Sequence, residues 1–417
     1  MALITPDIDG ERLWRRLMEL AGIGATPGGG VDRQALSDGE AEAWRLVIGW
    51  GEAAGLEAST DAAANLFLTL PGRDRALPCL LAGSHLDSQP TGGRFDGAFG
   101  VMAALEVVTA LAGRSIVPER DVTVVAWMNE EGSRFAPGMM GSEAFAGLRP
   151  IEAIRAVRDA DGETAGAAID RLLARFPRLA RRPLGFPVHA YVEPHIEQHT
   201  LLEASGAVIG AVTGIQGKKT FDIDVHGAKG HAGTKDMALR RDAVVAFARI
   251  MTALQERIGH HDPLVKFTVG KVDVTPNAPS VIAERVRFRI DLRHPDNAVL
   301  EACGHLVAEI CEAKAPPCRA EVRTLVAAPS NGFDPHLQRL VLDHARARGY
   351  PAMPLLSYAG HDARHLAAIA PSAMIFIPCR DGISHDESEW AEPEHVAAGA
   401  QVLFDVVRDV AAGFRPR

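Results

Sequence analysis

The residues of this chain best suited to chemistry stand in five short groups. They are His85 and Asp87 in Gly83-Ser-His-Leu-Asp, Asp96 in Phe95-Asp-Gly, the adjacent Glu130 and Glu131, His195 in Pro194-His-Ile-Glu-Gln198, and His385 in Gly382-Ile-Ser-His-Asp. Imidazole and carboxylate on neighbouring loops can share a divalent cation, and Asp87 can hold the His85 ring through its other nitrogen. Two imidazoles, a shared carboxylate and further acids suit a pair of zinc-like ions. Two such ions, about 3.5–4 Å apart, can hold a bridging hydroxide and polarise a carbonyl. The adjacent glutamates can then divide roles, with Glu131 as ligand and Glu130 as the general base. Each His alone reads as a buried, hydrogen-bonded residue, and Asp96 alone as a helix cap. Their joint occurrence, one set at each predicted strand end, favours the metal reading.

That reading requires strands that end together. An apolar run over residues 77–82 breaks at Gly83 and predicts a buried strand, with His85 and Asp87 just past its carboxyl end. In open α/β sheets that edge is where sites are built. Val101, Leu105, Val108 and Leu111 recur at helical spacing, which puts Asp96 in the turn entering a helix. Residues 121–128 predict a second buried strand, ending in Asn129-Glu130-Glu131-Gly132. Amphipathic helices are expected over 8–23 and 36–55, separated by the Pro-Gly-Gly-Gly loop at 27–30. A short strand is expected over 65–70, and an irregular helical layer over 150–190. Strands alternating with helices imply a mostly parallel sheet covered on both faces.

From about residue 213 the pattern changes. Phe221, Ile223 and Val225 alternate with polar residues, and Val244, Phe247, Met251, Leu254 and Ile258 step by three and four. Strands are predicted over 264–274 and 281–292, then a helix over 297–313 and a strand over 319–326. That β-α-β-β-α-β order is the ferredoxin-like split unit. Afterwards come a helix over 335–348, a strand over 373–378 and a last helix after Pro393. The expected fold class is therefore α/β. A mostly parallel-sheet, metal-binding domain takes residues 1–212 and 328–417, and a ferredoxin-like α+β domain, 213–327, is inserted into it.

Composition narrows the function classes. At 417 residues the chain exceeds one ordinary core, which supports two domains. Hydrophobic residues make up 47% and charged ones 23%, as in soluble globular proteins. A net charge of −9 argues against a general nucleic-acid surface. The arginines over 171–182 lack aromatic stacking partners and read as a solvated helix face. Cys79, Cys303, Cys311, Cys318 and Cys379 are scattered, with no Cys-x-x-Cys pair, which speaks against a disulfide framework and fits a reducing cytoplasm. Residues 1–16 show no signal pattern, and no apolar run approaches a membrane span. A cytoplasmic protein without nucleic-acid or membrane partners is expected.

The set His85-x-Asp87, Gly-Gly-Arg-Phe-Asp96-Gly, Glu130-Glu131-Gly-Ser-Arg-Phe, His195-Ile-Glu-Gln198, Gly230-His231-Ala-Gly-Thr, Asp291-Leu-Arg293-His and Gly360-His-Asp-Ala resembles the amidase/hydantoinase/carbamoylase branch of the M20 metallopeptidases. That branch contains N-carbamoyl-L-amino acid hydrolases, β-ureidopropionases and allantoate amidohydrolases. The likeness runs in order along nearly the whole chain, so it is specific for the family and less so for the substrate. It implies two divalent ions per chain, zinc first, with manganese, cobalt or nickel as alternatives. His85 and His195 would bind one ion, Glu131 and His385 the other, and Asp96 would bridge them. Glu130 would be the general base and Asp87 the orienter of His85.

The resemblance also makes the inserted domain a dimerisation lid, and the protein a homodimer. In that lid His231 would stabilise the tetrahedral oxyanion, and Arg293 would grip the substrate carboxylate bidentately. Gln198 and the backbone at Gly360 would complete the pocket. Without the family pattern, Arg293 reads as a strand-end surface arginine. Three positions depart from the branch. His199 follows Gln198 where relatives carry Gly, Ser280 stands where they carry a substrate-contacting Asn, and Thr234-Lys-Asp-Met237 replaces Thr-Pro-Met.

The activity implied is hydrolysis of the carbamoyl C–N bond of an N-carbamoyl amino acid, giving the amino acid, carbon dioxide and ammonia. An allantoate hydrolase, an N-acyl amino acid hydrolase or a dipeptidase on the same core is the alternative. Outside enzymes, the alternative is a relative that binds metal or ureido ligand without turnover, and it would have no use for Glu130.

Overall fold

The computed structural model describes residues 7–413, so residues 1–6 of the signal-free N-terminus expected above, and residues 414–417, lie outside the described part. The chain divides into two units, one reaching Gly214 and resuming at Gly332, the other Ile215–Asn331. Among the described residues the strands form a ten-stranded sheet, a four-stranded sheet and a two-stranded ladder.

The middle of the large sheet is parallel. Cys79–His85 lies beside Val122–Trp127 on one side and Val188–Ile196 on the other, and Ser372–Ile377 extends the row next to Val188–Ile196. Leu66–Leu70 and Ile209–Ile215 flank this row antiparallel. Cys79–His85 and Val122–Trp127 are buried at every residue. A strand covered on both faces must read as a continuous apolar run, which is why these were visible in the sequence. The helix Ala98–Gly113 is apolar nearly all round and correspondingly buried. Its one buried acid, Glu106, accepts both nitrogens of an Arg12 fork at 2.8 and 2.6 Å, which keeps that charge from being unpaired.

Several strands escaped the sequence reading, among them Ala352–Ser357, which a proline interrupts. Glu57–Thr60 is short and half polar, and Ile209–Ile215 carries two glycines that weaken its strand signal. The layer expected over 150–190 resolves into the helices Ile151–Arg155 and Ala165–Ala174 and the strand Ala180–Arg181.

The second unit is built from Gly217–His226, Ala243–Arg257, Lys266–Thr275, Arg285–His294, Asn297–Lys314 and Arg319–Ala328. Its antiparallel sheet runs in the order Lys266–Thr275, Arg285–His294, Gly217–His226, Arg319–Ala328. Period-2 alternation sends Phe221, Ile223, Val225, Val286, Phe288, Ile290 and Leu292 into one core. Asp222, Asp224, Arg285, Arg287 and Arg289 take the other face. The strand expected over 281–292 is two elements. Val281–Ile282 pairs with Gly230–His231, and Arg285–His294 starts only after Glu284 has turned its N–H to the Thr275 carbonyl. Among the described residues no helix is long and apolar enough to cross a membrane.

Candidate metal centre

The parallel row ends at one edge of the large sheet, and the ligand-type side chains are on or just beyond those ends. His85 closes Cys79–His85, His195 is the penultimate residue of Val188–Ile196, Glu130 and Glu131 follow Val122–Trp127, and His385 follows Ser372–Ile377. Asp96 precedes the helix Ala98–Gly113 and accepts the Ala98 N–H on its main-chain oxygen. Between them Gly97 passes over the His85 ring at φ +63°, where a Cβ would lie 2.3 Å from the imidazole. Only glycine fits that approach. Asn129, Gln198 and His385 also adopt positive φ, at 55°, 57° and 57°. For residues with a Cβ this costs about 1–3 kcal/mol each, and it is strain of the kind held at functional sites.

Both buried imidazoles are oriented the same way. Nδ1 of His85 lies 2.9 Å from the Asp87 carbonyl and Nδ1 of His195 lies 2.9 Å from the Ile196 carbonyl. Each ring therefore donates from Nδ1 and turns Nε2 toward Asp96, and Nε2 of His195 also accepts the Gly97 N–H at 3.2 Å. Nε2 of His85 is 3.6 Å and Nε2 of His195 is 3.2 Å from Oδ1 of Asp96. On the other oxygen, Nε2 of His385 is 3.2 Å from Asp96 Oδ2 and 3.3 Å from Glu131 Oε2. The donors thus fall into two groups, His85–Asp96–His195 and Asp96–Glu131–His385, each with its donor atoms within 4.8 Å of one another. Two donors about 2.0–2.1 Å from one ion at the tetrahedral angle stand roughly 3.3–3.4 Å apart, close to these spacings. Imidazole and carboxylate donors without thiolate suit zinc, manganese or cobalt. The residues fit a divalent cation in each group.

Electrostatics support the same reading. Burial pushes the Asp96 carboxyl upward, but His195, His385 and His85 outweigh it and hold it well below the usual range. Burial drives Glu130 well up; His85 opposes this, while Asp362, Glu131 and Asp87 add to it. Glu131 rises to about 7 through burial and the charge of Asp96. His385, hydrogen-bonded to Asp96, rises to about 9. Crowded, desolvated acids of this kind are relieved by a nearby cation.

Several expected roles change in detail. Asp87 reaches His85 through its main-chain oxygen, while its carboxylate stays 3.6 Å from the ring. That carboxylate instead accepts the backbone N–H groups of Glu130 and Glu131, both at 3.2 Å, and so ties two strand ends together. The amide nitrogen of Gln198 donates to Asp96 Oδ2 and Ser384 Oγ, each at 3.0 Å. Gly360 is exposed, and a Cβ there would be 3.3 Å from Met139 Cε.

Within the second unit, His231 pairs in register with Val281, and the Ser280 carbonyl accepts the Ala232 N–H, so His231 and Ser280 are neighbours. Arg293 pairs side-on with Asp291 at 2.8 and 3.3 Å, so its fork already faces a carboxylate of its own strand.

The sequence reading missed the groups that hold the ligands. Gln89 Nε2 donates to Glu131 Oε2 at 2.9 Å. Glu193, fully buried behind His195, accepts Ser84 Oγ–H and the Ala363 N–H at 2.7 Å each. Glu389 holds the Asp96 loop. Only the acidity of Glu193 beside His195 and the spacing of Glu389 from His385 hinted at them.

The profile of peptidase family M20/M25/M40 matches residues 81–409. The chain is 40% identical over 411 residues to an N-carbamoyl-L-amino-acid amidohydrolase from Rhizobium meliloti, covering 97% of each. It is 34% identical over 391 residues to an allantoate amidohydrolase from Escherichia coli, covering 92% of this chain and 94% of that one. A hydantoinase/carbamoylase family amidase from Burkholderia ambifaria superposes with a TM-score of 0.86 at 42% identity, covering 98% of this chain and 99% of that one.

Proposed function

This chain belongs to peptidase family M20/M25/M40 and is a hydrolase of carbon–nitrogen bonds, and from that premise we propose that it removes the carbamoyl group of an N-carbamoyl amino acid. The observation that carries the chemistry is the division of Asp96, with one oxygen toward His85 and His195 and the other toward His385 and Glu131. We assign His85, His195 and Asp96 to one divalent ion and Asp96, Glu131 and His385 to a second. When bound, the ions would act as Lewis acids on the carbamoyl oxygen and make water more acidic.

Glu130, half-buried 3.7 Å from His85 Nε2, takes a proton from the attacking water and returns it to the leaving nitrogen. Asp87 fixes Glu130 by holding its backbone N–H. Attack at the carbamoyl carbon breaks its bond to the amino nitrogen, and the carbamate released decomposes to carbon dioxide and ammonia. His231 as oxyanion donor, and Arg293 as carboxylate anchor once Asp291 yields its fork, follow from the family resemblance. The same resemblance supports a homodimer in which His231 serves the partner's site. Reassociating Glu130→Gln with His231→Ala chains should restore activity in one site of each heterodimer; confirmed heterodimers that stay inactive reject this arrangement.

Allantoate is the second reading, favoured by the Escherichia coli relative, and Ser280, which departs from the Asn of the branch, leaves the substrate open to it. Ammonia release decides between them. It is measured on N-carbamoyl-α-amino acids, N-carbamoyl-β-alanine and allantoate, and amine release on N-acetyl amino acids and dipeptides, with Zn²⁺, Mn²⁺ or Co²⁺ added. N-carbamoyl-α-amino acids should give the highest kcat/KM. A higher value for allantoate or an acyl substrate overturns the substrate assignment, and no turnover of any compound points to a binding protein.

A further inference from the structure

Behind the candidate centre, hydrogen bonds from two loops converge on a side chain that touches no proposed substrate. Glu389 is 2% exposed. Its Oε1 accepts the backbone N–H groups of Phe95 and Asp96 at 2.9 and 3.0 Å, and its Oε2 lies 2.9 Å from the Ser384 hydroxyl. Ser384 Oγ is also 2.9 Å from Asp96 Oδ2, and Ser384 directly precedes His385. A hydroxyl carries one proton, so Ser384 serves one of the two carboxylates at a time. Gln198, with two amide hydrogens, covers both Asp96 Oδ2 and Ser384 Oγ.

The chain makes room for this carboxylate. A Cβ on Gly93 would stand 1.9 Å from the Glu389 carboxyl carbon, so any other residue at position 93 would displace it. Glu389 therefore grips the ligand loop by its backbone and, through Ser384, touches both the shared carboxylate and the segment that carries His385.

We infer that Glu389 is a positioning residue that sets Asp96 between the two ion sites and keeps His385 in register with it. The inference rests on the metal reading of Asp96, so its test reads metal binding and not turnover. Chelator-stripped protein is titrated with Co²⁺, following visible absorption and bound metal per chain, with folding checked by circular dichroism and Tm.

Glu389→Ala should weaken cobalt binding by about 10- to 100-fold, the usual effect of losing a group that holds a ligand, and change the absorption band shape. Ser384→Ala removes one arm only and should do the same to a smaller degree. Glu389→Gln keeps the volume and one acceptor oxygen, so it carries the test if the Ala variant fails to fold. It should shift the spectrum while staying closer to the parent in affinity. A folded Glu389→Ala, or failing that Glu389→Gln, with cobalt affinity within about twofold of the parent and an unchanged spectrum overturns the inference. A parent protein that binds no Co²⁺ overturns the metal reading itself, and this inference with it.

Discussion

Acids meet bases in two places on this molecule, with opposite results. At the edge of the large sheet, Asp87 and Asp96 are buried with His85 and His195, and Glu130 and Glu131 are half-buried beside them. On the open face of the small sheet, Asp222 and Asp224 lie under Arg285, Arg287, Arg289 and Arg323, whose side chains stay 41–62% exposed. These two acids are covered by guanidinium groups that reach solvent, and the partner's charge prevails over burial. Arg285 holds the Asp224 carboxyl down to about 2, and Arg289 lowers that of Asp222. At the buried edge desolvation wins, and Glu130 and Glu131 rise. The same residue types give carboxyls shifted toward the neutral form in one place and charged struts in the other. The balance of the two effects decides which, because burial penalises charge while an arginine partner rewards it. Acids and imidazoles perturbed by burial in a cluster are also what proton transfer and ligation need.

The sharpest way to break this contrast is Asp96→Ala. Both donor groups share that carboxylate, so both should lose metal, and kcat/KM should fall by about 10³-fold or more, since Lewis-acid stabilisation supplies several kcal/mol. Elemental analysis at full occupancy would sink the shared site.

Glu130→Gln comes next. It should keep metal while kcat drops about 10²–10⁴-fold, the range for a lost general base. Near-normal turnover in the metal-loaded variant would move the base to another residue.

The smallest effect belongs to the open face. Asp224→Asn should cost about 1 kcal/mol or less at pH 7 and leave kcat unchanged, because its arginine partners reach solvent and are screened there. Its pH dependence has a definite sign. The folded value near 2 is depressed below the ordinary Asp value of about 3.9, so the pair's contribution is whole above about pH 4 and fades as pH falls toward 2. Urea midpoints of parent and variant should therefore differ at pH 7 and converge near pH 2. A constant gap would show that the pairing is not what the variant removed.

How much of this could be read from the chain depended on distance along it. The strand ends carrying His85 and Glu130 were legible, because burial on both faces forces unbroken apolar runs up to the point where the polar residues begin, whereas His189, Glu193 and Pro194 interrupt Val188–Ile196. The β-α-β-β-α-β order of the second unit was legible for the complementary reason, since one buried face imposes strict alternation on Arg285–His294. The closure of Arg293 on Asp291 was open to the same logic, because residues two apart share a strand face.

By itself, then, the sequence determined the elements, the residue types at the sheet edge and the family, all of which rest on local periodicity or ordered motifs. Tertiary structure alone decided the partners. Glu389 meets Asp96 across 293 positions, Gln198 meets it across 102, and Gln89 reaches Glu131 across 42. Periodicity tells a side chain which face it takes, but a hydrogen bond depends on distance and direction between chain segments, and only the folded sheet brings those segments together.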